Sequence, residues 1–127
     1  MRVGIVGASG YTGLELLRGV LRHPEFELTA VTSEQRAGMP VGEAFAAFRG
    51  LVDLDFESVD PGSLAKRLDL AFVALPHGTS AGVVSALHKA GVAVVDLFGR
   101  RRCLARAEVR FRERGLAGKQ CMTVQGV

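Results

Sequence analysis

Residues 3–13 read Val-Gly-Ile-Val-Gly-Ala-Ser-Gly-Tyr-Thr-Gly, and this stretch determines how the rest of the chain is interpreted. The apolar run at residues 3–6 is typical of a buried parallel strand. It leads into three regularly spaced glycines, Gly7, Gly10 and Gly13, and then into a segment of helical periodicity at residues 14–21. A strand, a glycine turn and a helix start in this order predict a site for a dinucleotide pyrophosphate, because the helix N-terminus presents free N–H groups. The alternative is a tight turn that binds nothing.

Apolar runs and periodic segments alternate along the first 97 residues. We predict further strands at residues 26–31, 51–56, 70–75 and 92–97. We predict helices from the glycine turn to residue 22, within residues 41–48, from residue 60 to about 68, and at residues 81–90. Residues 51–56 alternate between apolar and polar, which is typical of a half-exposed edge strand. The alternation of strands and helices predicts an α/β fold of the Rossmann type, with a doubly wound and mostly parallel sheet.

The length of 127 residues and the composition point to about one domain. The apolar runs are too short to cross a bilayer, and the first strand begins directly after Met1, so we expect no signal peptide and no membrane partner. The two cysteines, Cys103 and Cys121, form no Cys-x-x-Cys pattern. We therefore expect reduced thiols and a cytoplasmic protein. No group of residues has the spacing of a metal site.

The charge is distributed unevenly along the chain. The formal net charge is +3, but residues 1–97 carry −3 and residues 98–127 carry +6. We expect residues 98–127 to be a divergent basic tail that is solvated or contacts a partner. A nucleic-acid interface is the less favoured alternative, because Phe98 and Phe111 are the only aromatic residues in this segment. We therefore expect no nucleic-acid partner.

The residues after the second predicted strand bear on the choice of cofactor. Thr32, Ser33 and Arg36 supply hydroxyls and a positive charge, which suit a ribose 2′-phosphate better than a ribose diol. Glu34 complicates this reading, but it lies beyond the usual position of the acidic residue that binds the diol in NAD-dependent proteins. The pattern favours NADP over NAD. The alternative is a solvated polar loop in which Arg36 binds nothing.

A second candidate loop follows the apolar run at residues 70–75. It reads Pro76-His77-Gly78-Thr79 and lies at the carboxyl end of a predicted central strand, where open α/β sheets bind ligands. His77 and Thr79 are therefore candidates to face a cofactor. A plain turn with an exposed His77 is equally consistent with the sequence.

Several stretches together resemble one family. Residues 7–16 (GASGYTGLEL) are similar to the start of the N-acetyl-γ-glutamyl-phosphate reductases. Residues 32–38 (TSEQRAG), 74–80 (ALPHGTS) and 94–97 (VVDL) resemble further family stretches in the same order. The wider semialdehyde dehydrogenase group shares the glycine pattern. The aminoadipyl-phosphate reductases of lysine synthesis resemble these stretches equally well.

The resemblance implies the cofactor-binding domain of an NADPH-dependent oxidoreductase of arginine biosynthesis, which reduces an acyl phosphate to a semialdehyde. In that family a cysteine thiolate forms a thioester, hydride from the nicotinamide releases the aldehyde, and a histidine acts as acid and base. Carried over by position, the pyrophosphate would be held by Gly7, Ser9, Gly10, Tyr11, Thr12 and Gly13. The adenosine phosphate would lie near Thr32, Ser33 and Arg36, and the nicotinamide near Pro76 and His77.

The resemblance ends after Leu97. The family's Ser-Ala-Asp-Phe-Arg-like continuation is replaced by Phe-Gly-Arg-Arg-Arg at residues 98–102, and Cys121 shares only a Cys-x-Thr with the family's catalytic Pro-Gly-Cys-Tyr context. We therefore expect residues 1–97 to form an NADP-binding Rossmann domain, and we identify no catalytic residue in this chain. A non-catalytic NADP-binding module is the alternative function.

The arginine-rich composition of residues 98–127 has two explanations. A shifted reading frame in a GC-rich gene would yield an arginine-rich segment, and the coding DNA would then encode the family's continuation in another frame. The alternative is a genuine divergent tail. A sheet without its usual second domain also leaves an edge or face exposed, so we expect a homo-oligomer.

Overall fold

The computed structural model describes residues 1–76 and 78–98, and it contains five strands and four helices in that part of the chain. The strands are β1 (Arg2–Val6), β2 (Glu27–Thr32), β3 (Phe56–Glu57), β4 (Leu70–Val73) and β5 (Ala93–Asp96). The helices are α1 (Tyr11–Arg22), α2 (Val41–Ala44), α3 (Pro61–Arg67) and α4 (Ser80–Lys89), with one 3₁₀ turn at Ala46–Phe48. The predicted basic tail lies outside the described residues, apart from Phe98.

The five strands form one parallel sheet in the order β3-β2-β1-β4-β5. The chain moves outward from β1 to β2 and β3, crosses back over the sheet, and continues outward on the other side through β4 and β5. This order is that of a doubly wound Rossmann-type sheet, so the predicted fold class is confirmed. None of the helices in the described part is both long and apolar enough to cross a membrane.

Alternate residues of β1 face two separate cores. Val3 and Ile5 pack with Leu17 and Val20 of α1, and the same cluster takes in Phe48 from the 3₁₀ turn. Val6 faces the opposite cluster, which includes the following residues of α3, β4, α4 and β5: Leu64, Val73, Val84, Leu87 and Val94. The side chains of Val3, Ile5 and Val6 are all fully buried. This burial on both faces explains why β1 reads as a continuous apolar run.

The helix that was predicted to begin at Asp60 does so for the expected reason. The Asp60 side chain accepts a hydrogen bond of 3.1 Å from the Gly62 N–H, and Pro61 occupies the first turn, where a missing N–H costs nothing. Because α3 begins here, Leu64 reaches the core between α3, α4 and the sheet.

The predicted strand at residues 51–56 is wrong for most of its length. Only Phe56 of that segment belongs to a strand, and residues 51–55 form a turn and irregular backbone. The Leu54 carbonyl accepts from the Val41 N–H, and Pro40 forms an isolated antiparallel bridge with Asp55, so the segment pairs with the loop before α2. The predicted edge position is correct, because β3 pairs only with β2 within the described sheet.

An ion pair between Arg2 and Asp69 joins β1 and β4 at the amino end of the sheet. The Asp69 carboxylate accepts from the Arg2 backbone N–H at 2.8 Å, from Nε at 3.3 Å and from Nη2 at 3.0 Å. The hydrogen bond from the Arg2 side chain is the main cause that lowers the pKa of Asp69 below its ordinary value. The two central strands are thereby joined at the end opposite to the glycine turn.

We expect Asp69→Asn to lower the free energy of unfolding at neutral pH. The pKa of Asp69 is lower in the folded than in the unfolded chain, so its contribution is present above the unfolded value of about 3.9 and is lost as pH falls through the folded value. Urea unfolding of wild type and variant across this range checks the expectation. Asp53→Asn is the control, because Asp53 is exposed and has no ion pair in the described part. A destabilisation that persists undiminished in acid would contradict this account.

Candidate dinucleotide-binding site

The candidate site lies at the carboxyl ends of β1 and β4. The chain leaves β1 toward one side of the sheet and leaves β4 toward the other, which opens a crevice between their following loops. The loops are in contact: a Cβ on Gly7 would lie 2.8 Å from the Leu75 side chain and 2.9 Å from the Ala74 carbonyl oxygen. The glycine turn and the start of the loop after β4, at Ala74 and Leu75, therefore line one crevice.

The glycine turn is held by the end of β2. Gly7 has a φ of +86°, a conformation that disfavours residues with a side chain. Its N–H donates to the Thr32 carbonyl at 3.2 Å and to Thr32 Oγ1 at 3.1 Å, and the Ala8 N–H donates to the same carbonyl at 2.8 Å. Thr32 is fully buried, so its side chain supports the turn. The direct contact of Thr32 with a cofactor stays a prediction.

The other two glycines of the pattern differ in what surrounds them. A Cβ on Gly13 would lie 2.4 Å from the Ala8 backbone, so glycine is required for α1 to pack against the turn. A Cβ on Gly10 would meet no atom of residues 1–76 and 78–98 within 4 Å, and Gly10 does not have a positive φ. Packing within the protein therefore explains Gly7 and Gly13 but leaves Gly10 unexplained.

The N-terminus of α1 is suited to an anion. Gly10 is the N-cap residue, no side chain caps the helix, and the first turn has no acidic residue. The first N–H groups of a helix lack partners within the helix and carry the positive end of its dipole. Ser9 and Thr12 are half-buried beside them, while Tyr11 is 78% exposed. This donor set fits the pyrophosphate that was predicted from the sequence.

The loop after β2 places a second group of polar residues near the turn. Ser33 is 2% exposed, and its hydroxyl has no hydrogen-bond partner in the described part of the protein. Arg36 is half-buried, with its guanidinium carbon 5.5 Å from the centroid of the Phe45 ring. The Glu34 carboxylate accepts a hydrogen bond of 2.6 Å from the Val59 N–H, so this acidic group is already engaged before α3.

The loop after β4 is described only in part. Pro76 is exposed, and its carbonyl accepts from the Thr79 hydroxyl at 3.2 Å. His77 lies outside the described residues, so its contact with a cofactor stays a prediction. Within residues 1–76 and 78–98 no three metal-ligating side chains come together as a metal site would require.

Sequence reasoning did not identify Phe45 or Val59 as parts of this region. Both residues act through contacts between loops: Phe45 lies under Arg36, and the Val59 N–H binds the Glu34 carboxylate. Neither contact produces a periodic pattern or a motif. A loop rich in hydroxyl and charged residues, followed by an aromatic residue, is the only sequence signal available.

The fold and the glycine turn together define a dinucleotide-binding domain of the Rossmann class. Comparison with known proteins then gives the family. The profile described as "Semialdehyde dehydrogenase, NAD binding domain" matches residues 2–110, and the chain belongs to this family. Membership of this family indicates a nicotinamide cofactor.

Curated relatives are similar to this chain over its first three quarters. N-acetyl-gamma-glutamyl-phosphate reductases of Geobacter sp. (strain M21) and Herminiimonas arsenicoxydans are 48% and 50% identical to it over 97 residues, which is 76% of the chain. A putative [LysW]-L-2-aminoadipate/[LysW]-L-glutamate phosphate reductase of Nitrosopumilus maritimus is 43% identical over the same length. The match covers 28% of each of these relatives, so the chain spans under a third of their length.

Solved structures agree on the fold. Aspartate semialdehyde dehydrogenase with NADP from Candida albicans superposes with a TM-score of 0.64 at 24% identity, over 76% of this chain and 29% of that one. A putative myo-inositol dehydrogenase from Sinorhizobium meliloti 1021 superposes with a TM-score of 0.56 at 21% identity, over 76% and 27%. Both likenesses concern the architecture of the sheet and its helices.

The two glycines of α1 should respond to alanine in opposite ways. Gly13→Ala forces the helix away from the Ala8 backbone and should lower the free energy of unfolding by about 1–3 kcal/mol. Gly19→Ala adds a methyl group to the exposed face, where no atom of the described residues lies within 4 Å, and should raise the free energy of unfolding by about 0.5–1 kcal/mol. Urea unfolding of both variants checks the difference. A Gly13→Ala protein as stable as wild type would show that α1 does not depend on this close contact.

Proposed function

We propose that this chain binds NADP and forms the cofactor-binding part of a reductase that converts an acyl phosphate into a semialdehyde. The observation that carries the proposal is the open space at Gly10, at the uncapped N-terminus of α1. A side chain at Gly10 would meet no atom of the described residues, so packing there does not require glycine, whereas the close approach of a phosphate to the start of α1 would.

In this proposal the site residues divide into three groups. The pyrophosphate lies against the turn and the first turn of α1, in contact with Gly7, Ser9, Gly10, Tyr11, Thr12 and Gly13. Ser33 and Arg36 bind the 2′-phosphate, and Thr32 contributes by holding the turn. The nicotinamide lies toward Pro76 and His77.

The preference for NADP is supported by charge. A 2′-phosphate carries more than one negative charge at neutral pH and needs donors and a cation. Ser33 has a buried hydroxyl free of protein partners, and Arg36 has no carboxylate within 4.0 Å in the described part. Glu34, which would repel a phosphate, is bound to the Val59 N–H. The loop therefore offers a hydroxyl and a cation to the extra phosphate, and its carboxylate is held by another segment.

The whole-protein activity is proposed from the relatives. When bound, the cofactor supplies a hydride to the acyl group. This chain's own residues bind the two phosphates, orient the ring and keep the cofactor at the carboxyl edge of the sheet. The names of the relatives support an N-acetyl-γ-glutamyl-phosphate reductase, with the aminoadipyl-phosphate reductase as the alternative. A role in arginine biosynthesis and a cytoplasmic location are part of the proposal and rest on the resemblance to that family.

The first experiment is a fluorescence titration of the full chain with NADPH and, separately, with NADH. We expect NADPH to bind more tightly, and we expect Gly10→Ala to raise the Kd for both coenzymes about tenfold or more because its methyl group occupies the phosphate position. Gly19→Ala is the matched control, since it adds the same methyl group to the exposed face of α1. Unfolding curves establish that Gly10→Ala is folded.

Two results would contradict the proposal. A folded wild-type chain that binds neither coenzyme would show that the turn is only architectural. Unchanged binding by Gly10→Ala would show that the phosphates lie elsewhere.

We also propose that the chain self-associates. Within the described sheet β5 pairs only with β4, which leaves one of its edges without a strand, and the adjacent Phe98 is 40% exposed. Sedimentation equilibrium of the full chain over a range of concentrations tests this. A single monomer mass at the highest concentration would contradict it.

A further inference from the structure

The Arg36 side chain is held against an aromatic ring from a different segment. Its guanidinium carbon lies 5.5 Å from the centroid of the Phe45 ring, within the range of a cation–π contact. The Arg36 backbone N–H also donates to the Ser33 carbonyl at 3.4 Å. The described part of the protein places no carboxylate within 4.0 Å of the guanidinium. The cation is therefore oriented without being neutralised.

The Phe45 ring in turn packs against two buried aromatic rings. It packs edgewise on Phe48 at 6.3 Å and on Phe56 at 6.1 Å between centroids. Phe48 is 4% and Phe56 1% exposed, so both belong to the core. Half-buried Phe45 thus forms a rigid surface between the core and the loop that follows β2.

The carboxylate of Glu34, two residues before Arg36, is also held, but by a different segment of the chain. The Glu34 carboxylate accepts the Val59 N–H at 2.6 Å, in the segment that leads from β3 into α3. The loop thus contains two opposite charges two residues apart, and each has its own partner outside the loop. Separate partners keep Arg36 and Glu34 from pairing with each other.

We propose that Phe45 is a positioning residue for coenzyme selection, which holds the Arg36 guanidinium ready for a ribose 2′-phosphate. This inference rests on the proposed function. A free arginine side chain loses rotamer entropy when it binds a phosphate, and a side chain already held by an aromatic ring loses less. The ribose diol of NADH is uncharged and does not pair with the Arg36 guanidinium. The Phe45 ring should therefore affect the affinity for NADPH alone.

The experiment compares Kd values for NADPH and NADH in the full chain carrying Phe45→Leu, Phe45→Tyr or Phe48→Leu. Phe45→Leu should raise the Kd for NADPH about two- to fivefold and leave that for NADH unchanged. Phe45→Tyr retains an aromatic face, so the ratio of the Kd for NADH to the Kd for NADPH should equal that of the wild type. Phe48→Leu leaves the Phe45 ring in place and removes one of the two rings on which it packs, so it should change the ratio less than Phe45→Leu does.

A double-mutant cycle tests whether Phe45 acts through Arg36. In an Arg36→Gln background, Phe45→Leu should produce no further rise in the Kd for NADPH. Independent and multiplicative effects would overturn the inference, as would an equal rise for both coenzymes in Phe45→Leu, which is the signature of a purely structural role.

The controls separate this inference from the proposed function. A wild-type chain that binds NADPH selectively while Phe45→Leu changes nothing overturns the inference and leaves the proposed function standing. A wild-type chain that binds both coenzymes equally also overturns it, although the dinucleotide site remains. A wild-type chain that binds neither overturns both.

Discussion

The hydrogen bonds from the glycine turn to Thr32 are the constraint on which the rest of this site depends. One carbonyl, at the end of β2, accepts the N–H groups of both Gly7 and Ala8. Because the turn is fixed to a neighbouring strand, α1 starts at a set position over the sheet, and Gly13 allows it to pack directly on the Ala8 backbone. The free N–H groups of the helix, the crevice beside β4 and the loop after β2 then have defined places around the proposed cofactor site.

The sequence was most informative where a feature is local. The apolar run of β1, the three glycines and the Asp60-Pro61 helix start each depend on neighbouring residues, and each has the structure that was predicted. The strand prediction at residues 51–55 was wrong because the pairing of this segment is not local. Its alternating pattern resembles a strand, but it pairs with the loop before α2, and pairing between loops leaves no periodic signal.

The same distinction holds within the candidate site. The glycine pattern predicted the turn and the start of α1, because backbone geometry restricts residue types there, and the phosphate site at this turn stays a prediction. The engagement of Glu34 by the Val59 N–H and the support of Arg36 by Phe45 could not be predicted, since both contacts join segments that are separate in the sequence. Thr32 is an intermediate case: its position at the end of β2 was evident, but its hydroxyl faces the turn.

The missing side-chain cap on α1 has a consequence for competition. A serine or aspartate at the N-cap would accept one of the helix's own free N–H groups, as Asp60 does for α3. Such a cap is covalently attached to the helix, so it would act as an intramolecular competitor that is always present at high effective concentration. With glycine at this position the donors of α1 are left to water, which an incoming phosphate displaces far more easily than it would displace a tethered carboxylate.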